Sequence, residues 1–143
     1  MLQTLRAEGP AYAAWPDQVR AEFNRNQANP CVGTTLLSET DRVRVWRVQV
    51  PPGGRLPFHR HVLDYFWSAV TSGLARSHLQ DGRMIEIPVL AGDTMHSRYG
   101  AGEFKFHDLD NIGDTELIFT TVEFLDSANA PLPLPPNVHR HAA

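Results

Sequence analysis

The feature that most constrains the fold is an alternation of apolar and polar residues with a period of two, interrupted by turns. Over residues 43–50 the odd-numbered and even-numbered side chains separate into two sets, which is the pattern of a half-buried strand. Pro51-Pro52-Gly53-Gly54 and Asp81-Gly82 are turn sequences, and turns recur at roughly 8–12-residue spacing, as in sandwiches and barrels. We therefore predict an all-β sandwich or barrel of eight or nine short strands. The predicted extended runs are 34–38, 43–50, 58–69, 74–79, 83–88, 94–99, 104–109 and 117–125.

Both ends of the chain differ from this central part. Near the N-terminus, Trp15-Pro16-Asp17 predicts the start of a short helix, because proline suits the first turn and an acidic residue suits its positive end. Val19 and Phe23 would share its buried face, and Asn29-Pro30 would end it. We expect an appendage over 1–31, a barrel over 32–126 and an extended proline-rich tail over 127–143, draped either over the barrel or across a neighbouring subunit.

Composition favours a soluble single domain and excludes several function classes. The chain has 143 residues, 42% of them apolar, and a net charge of −3. No block of lysine and arginine indicates a nucleic-acid or membrane surface, and we see neither a signal peptide nor a transmembrane run. The single cysteine, Cys31, cannot form an intramolecular disulfide and suits a reducing compartment, so we expect a cytoplasmic protein. We interpret Cys31 as a small buried residue, with a reactive thiol as the alternative.

Two of the seven histidines have a spacing that suits a shared ligand. His59 and His61 lie in an extended run, so both side chains point to the same face while Arg60 points to the other. Their Cβ atoms would be about 6.5–7 Å apart. Two imidazoles at that spacing can converge on one ion, with nitrogen–metal distances of about 2.1 Å. A third ligand must come from a neighbouring strand, and His107 lies on a suitable one.

The alternative is that this histidine pair belongs to an ordinary polar face. Its context argues against that interpretation, because the same face continues through Leu63, Tyr65 and Trp67. Imidazoles in so apolar an interior would be costly unless each has a partner. A bound cation would provide one, so the sequence predicts a metal site.

Two segments resemble the sequence motifs of a known family. Gly53-(five residues)-His59-x-His61 resembles the first motif of the cupins, and His107-(three residues)-Asn111 resembles the end of the second. Over roughly residues 40–125 the chain is thus similar to small single-domain cupins of the cupin 2 type. The segments 59–65, 91–92 and 107–111 resemble, more narrowly, the cupins associated with β-alanine degradation.

The resemblance implies a jelly-roll β-barrel, a central metal ion and often a homodimer, but no single reaction. His59, His61 and His107 match the three histidine ligands of the family. The glutamate ligand that usually follows four residues after the second histidine is replaced here by Tyr65. A three-histidine site with open positions suits iron, nickel, zinc or copper, and manganese also stays an option for the cofactor. We expect the neighbouring Asp64 to point outward and form an ion pair.

Four further residues are candidates for roles around the metal. Tyr65 and His96 are candidate catalytic acid–base groups, although Tyr65 could simply fill the core and His96 could lie at the surface. Trp67 and Arg98 are candidate substrate-binding residues, and Arg98 would hold a carboxylate. A core position for Trp67 and a solvated position for Arg98 are the alternatives.

Three functions are compatible with these features. The first is a metalloenzyme, either dioxygenase-like or using Lewis-acid chemistry, that acts on a small polar or carboxylate-bearing metabolite. The second is a non-catalytic binding or sensing module, and the third is a structural cupin with an empty pocket. We interpret His78 as structural, and we expect His139 and His141 to lie in a disordered tail.

Overall fold

The computed structural model describes residues 2–140 and consists mainly of antiparallel strands. Within these residues nine strands follow two short helices. The helices are α1 (Pro10–Ala13) and α2 (Asp17–Arg25), and the strands are β1 (Thr35–Glu39), β2 (Val43–Val50), β3 (Arg55–His61), β4 (Tyr65–Ala69), β5 (Gly73–His78), β6 (Met84–Val89), β7 (Thr94–Ser97), β8 (Lys105–Asn111) and β9 (Leu117–Phe124). The predicted all-β class is confirmed.

The strands form two sheets that enclose a common core. The five-stranded sheet has the order β1-β2-β9-β4-β7, and the four-stranded sheet has the order β3-β8-β5-β6. Side chains from both sheets meet between them, among them Val48, Leu56, Ala75 and Phe119. After β2 the chain passes repeatedly from one sheet to the other, which is the arrangement of a jelly-roll barrel. The predicted barrel is therefore confirmed as well.

One predicted run is wrong, because residues 58–69 form two strands rather than one. Strand β3 ends at His61 and pairs with β8, whereas β4 starts at Tyr65 and pairs with β7 and β9. The chain crosses between the sheets in the three residues from Val62 to Asp64. Leu63 stays buried in this crossing, so the odd-numbered side chains remain inside and the period of two does not reveal the break.

The N-terminal helices cover the outer face of the four-stranded sheet. As predicted, Val19 and Phe23 form the buried face of α2. The ring of Phe23 lies 5.3 Å from that of Phe58 and 5.0 Å from that of Phe106, measured between centroids. The four-residue helix α1 was not predicted, because so short an element has no periodicity to detect. Neither helix in residues 2–140 is long and apolar enough to cross a membrane.

As far as Arg140 the tail lies against the barrel, which is one of the two positions expected for it. Leu134 and Val138 contact a buried cluster on the five-stranded sheet that includes Trp46. The backbone N–H of Leu36 donates to the carbonyl of His139 at 2.9 Å. The expectation of disorder for His139 is corrected, because the leucine side chains and free carbonyls of a proline-rich segment can still pack and accept hydrogen bonds. His141 lies outside the described residues.

Candidate metal centre

The four-stranded sheet presents different side chains on its two faces. In β3, His59 and His61 point between the sheets, while Arg60 points towards the N-terminal segment and donates to the carbonyl of Gln3 at 2.9 Å. In β8, His107 also faces the cavity between the sheets. The side chains that alternate with the histidines in β3 and β8 lie under the helices. The predicted opposite orientation of Arg60 is thus confirmed.

The three predicted histidines come together in the cavity. His59 lies directly opposite His107 in the β3–β8 pairing, and one ring nitrogen from each of the three lies within 4.8 Å of the others. The Nε2 atoms of His61 and His107 are 3.2 Å apart. Two nitrogens that are each about 2.1 Å from one ion lie about 3.0–3.4 Å from each other, so this pair has the spacing of two metal ligands.

Hydrogen bonds orient two of the rings. The Nδ1–H of His59 donates to the carbonyl of Pro57 at 2.8 Å, and the Nδ1–H of His107 donates to the hydroxyl oxygen of Ser77 at 3.0 Å. Ser77 in turn donates its own proton to the carbonyl of Asp108 at 2.6 Å. With Nδ1 protonated, each ring keeps its lone pair on Nε2, and this is how a second layer of residues orients metal-binding histidines.

The third ring, that of His61, shows why the cluster fits a cation. Its Nδ1 atom is buried and has no hydrogen-bond partner within residues 2–140, and its Nε2 atom faces the Nε2 atom of His107. The ring of Tyr65 stacks on it at 4.0 Å between centroids, with 9° between the planes. In one neutral tautomer of His61 its Nε2 lone pair faces that of His107, and in the other Nε2–H donates to His107 and the Nδ1 lone pair is unused. An ion beside the two rings would instead accept the Nε2 lone pairs of both. The donor set of three imidazoles therefore fits a transition-metal ion.

Burial keeps the three imidazoles in the form that binds metals. Removal from water lowers the pKa of His59 to about 4 and lowers the pKa values of His61 and His107 well below their ordinary value. The nearby positive charge of Lys105 lowers all three further. At neutral pH each histidine is therefore uncharged and can donate its lone pair without first losing a proton.

The rest of the cavity is mostly apolar. It has a volume of about 130 Å³, and its apolar walls include Val48, Leu56, Trp67, Ile87, Met95 and Phe119. Lys105 is the one lining side chain with a permanent charge among the described residues, and burial lowers its pKa. Sequence reasoning missed Lys105, although it lies two residues before His107 and so had to share its face.

The structure brings two of the four additional candidates to the cavity. Tyr65 and Trp67 both line it, as their spacing from the histidines predicts. His96 and Arg98 do not, because they lie on the exposed face of β7 and in the segment after it. His96 packs near the ring of Phe66, at 5.4 Å between centroids, and the side chain of Arg98 is 91% exposed.

Their placement at the site is therefore corrected. The inference that His96 and Arg98 share a face is sound, but the face is the outer one, since Met95 points into the cavity. As expected, Asp64 does not join the ligands. One of its oxygens accepts from the backbone N–H of Tyr99 at 2.9 Å, and the other is 4.0 Å from Arg98.

A second group of potential ligands lies on the other face of the same sheet. His78, Asp108 and Asp110 also bring ligand atoms within 4.8 Å of one another. However, Asp108 accepts from the backbone N–H of His78 at 2.7 Å, from its Nδ1–H at 2.8 Å and from Arg55 at 2.9 Å. Arg55 also pairs with Asp110 and, at 2.6 Å, with Glu22 of α2. These groups form a closed network that joins α2 to the barrel, which agrees with the structural role predicted for His78.

Comparison with known proteins identifies the fold. No protein-family model and no curated protein matches the chain. Among solved structures, a cupin domain from Bordetella pertussis Tohama I superimposes with a TM-score of 0.56 and 28% identity, covering 63% of this chain and 88% of that one. The chain has the cupin fold.

Two further structures are similar at a lower level. A conserved protein with a double-stranded β-helix domain from Klebsiella pneumoniae is 24% identical over 68% of this chain and 75% of its own, with a TM-score of 0.49. A cupin 2 conserved barrel domain protein from Salinispora arenicola is 24% identical over 56% of this chain and 60% of its own, with a TM-score of 0.42. The narrower resemblance to cupins of β-alanine degradation stays a prediction.

Proposed function

We propose that this cupin holds one divalent transition-metal ion through His59, His61 and His107 and acts as a metalloenzyme on a small carboxylate-bearing molecule. One observation carries the proposal. Three neutral imidazoles converge in a buried cavity, and in two of them the hydrogen bond made by Nδ1 leaves the Nε2 lone pair free. Pro57 and Ser77 provide those hydrogen bonds, as the outer partners of metal-bound histidines do.

The side chains around the histidines determine what the site can do. A bound ion would supply dioxygenase chemistry if it were iron, and Lewis-acid chemistry if it were zinc or nickel. Burial raises the pKa of Tyr65, so its hydroxyl group stays protonated and can donate a hydrogen bond or a proton to a substrate oxygen. Trp67 and the other apolar walls exclude water and hold the substrate in place.

A non-catalytic binding or sensing role is the second candidate, and a specific observation favours it. Among the described residues no carboxylate lines the cavity, so an acidic general base is absent from its walls. The buried Glu123, whose pKa burial raises to about 7, accepts a hydrogen bond from Trp46 at 2.7 Å and is not a lining residue. Turnover of a bound carboxylate into a product would exclude this alternative, whereas binding without product would favour it.

Metal content tests the proposed site directly. Elemental analysis of the untagged, full-length protein should find about one equivalent of metal, and His59→Ala, His61→Ala and His107→Ala should each reduce it to about a tenth or less. His96→Ala is the matched control, because His96 is exposed on the outer face and should retain full metal content. Circular dichroism should show that all four variants are folded. Full metal content in the three cavity variants would contradict the site.

The proposal extends to two further properties, one implied by the family resemblance and one by the composition. We propose that the protein is a homodimer and that it works in the cytoplasm. Light scattering on the purified protein tests the first, and a mass near 16 kDa, that of one chain, would contradict it. Cell fractionation tests the second.

A further inference from the structure

The cavity has a polar end and an apolar end, and the order of side chains along two strands shows this. Along β8 the cavity-facing residues are Lys105, His107 and then Leu109. Along β3 the order in the same direction is His61, His59 and then Leu56, because His61 lies opposite Lys105 and Leu56 lies opposite Leu109. The positive charge of Lys105 therefore lies at the histidine end, and the walls become apolar away from it.

Lys105 has no counter-charge among the residues that the structure describes. Within residues 2–140 no carboxylate lies within 4.0 Å of its ammonium group, whereas Arg44, Arg55, Arg76 and Arg83 all have acidic partners. Its side chain is half-buried and lines the cavity. A cation in a partly desolvated position is stabilised when an anion occupies the space beside it. The missing partner is thus best supplied by a ligand.

Size and polarity restrict what that ligand can be. The cavity volume of about 130 Å³ is close to the roughly 150 Å³ of a protein cavity that binds benzene. A sugar or a dicarboxylate would place hydroxyl groups or a second charge against Leu56, Leu109 and Phe119, where they would lack hydrogen-bond partners. A single carboxylate on a branched or aromatic hydrocarbon body matches both ends of the cavity.

We propose that Lys105 binds the carboxylate of a small hydrophobic monocarboxylate, whose hydrocarbon body occupies the apolar end of the cavity. This inference rests on the proposed function for the position of the site, and it names the substrate class and the residue that selects it. It also replaces Arg98, which the structure places on the outside, as the carboxylate-binding residue.

Calorimetric titration of the full-length, metal-loaded protein with two matched probes tests the inference. The probes are 4-methylpentanoate and its uncharged analogue 4-methylpentanamide, which have nearly the same shape. The wild-type protein should bind the acid at least about tenfold more tightly than the amide, because a charge-assisted hydrogen bond is lost with the amide. Lys105→Met keeps the length of the side chain without its charge and should remove this preference.

Controls separate the outcomes. Arg98→Met removes an exposed cation of the outer surface and should leave the preference unchanged. Equal discrimination by Lys105→Met and wild type, or no measurable binding of either matched probe, would each overturn the inference.

Metal content, measured on every sample, distinguishes this inference from the proposed function. Wild-type protein that binds metal while Lys105→Met keeps full preference for the acid would leave the proposed function intact and remove the role of Lys105. A metal-free wild-type protein that still prefers the acid through Lys105 would support the inference while the proposed function fails.

Discussion

Two clusters of potential metal ligands lie on opposite faces of the four-stranded sheet. They differ in whether their hydrogen-bonding groups already have partners within the protein. His107 belongs to the cavity cluster, and the next residue, Asp108, belongs to the network under α2. In the network, His78 and Arg55 satisfy both oxygens of Asp108. In the cavity, His61 has a buried nitrogen for which the described part of the chain offers no partner.

The difference teaches that a group of ligand-type residues is not in itself a metal site. Both clusters bring their ligand atoms within 4.8 Å, so distance alone does not separate them. What separates them is Arg55, which already pairs with both carboxylates of one cluster, while the other consists of three neutral rings without a counter-charge among the described residues. The network stabilises the fold, and the cavity cluster leaves its lone pairs for a ligand.

The largest expected effect is the loss of stability on breaking the network. Asp108→Ala leaves Arg55 and His78 without their buried partner and should lower the free energy of unfolding by about 3 kcal/mol, measured by urea denaturation. The metal content should not change, because this side chain lies on the other face of the sheet. The control Arg83→Ala, which breaks an exposed ion pair with Asp81, should cost at most about 0.5 kcal/mol. Similar losses for the two variants would mean that the network is no more than a surface feature.

The same substitution in the two clusters should have opposite signs. In protein stripped of metal with a chelator, His78→Leu should lower the free energy of unfolding by about 2 kcal/mol, because it removes a donor from buried Asp108. His61→Leu should raise it by about 1 kcal/mol, because it removes a buried nitrogen that has no partner. Thermal or chemical unfolding of both variants side by side measures the difference. Destabilisation by both to the same extent would show that the clusters are not distinct.

The smallest expected effect concerns the hydrogen bond that orients His107. Ser77→Ala should weaken metal binding about tenfold without abolishing it, since the ring keeps its position but loses the partner of Nδ1. Competition with a chromophoric chelator measures the affinity. Ser68→Ala is the control, because the hydroxyl group of Ser68 pairs with Thr94 away from the cavity. An unchanged affinity for the Ser77 variant would indicate that the hydrogen bond does not orient the ring.

The barrel and the three ligands could be predicted from the sequence because both depend on local rules. A period of two places His59 and His61 on one face whatever surrounds them, and the motif that ends at Asn111 indicates His107. Even the undetected crossing at residues 62–64 did no harm, since Tyr65 keeps the same orientation after it.

What failed depends on relations between distant parts of the chain. His96 is an exception, because its face could have been inferred: Val89 before the turn at Gly92 and Met95 after it both line the cavity, so an even-numbered residue between them in the alternation points outward. The partners of Asp108 include Arg55, which also pairs with Glu22, a residue of α2 that precedes Arg55 by 33 positions. Lys105 was not predicted because it belongs to no motif. Its role as a ligand-binding residue is suggested only by the structure, in which no described acidic residue pairs with it.

The proline-rich tail has a practical consequence for handling the protein. Strand β1 is the outer strand of the five-stranded sheet, and the carbonyl of His139 occupies the hydrogen-bonding position of Leu36 on its free side. Removing residues from Leu134 onward would expose the free edge of β1 and the apolar cluster around Trp46 that Leu134 covers. A strand from another molecule can pair with such an exposed edge. A segment that looks dispensable to anyone trimming the gene for expression would then decide whether the product stays in solution or precipitates.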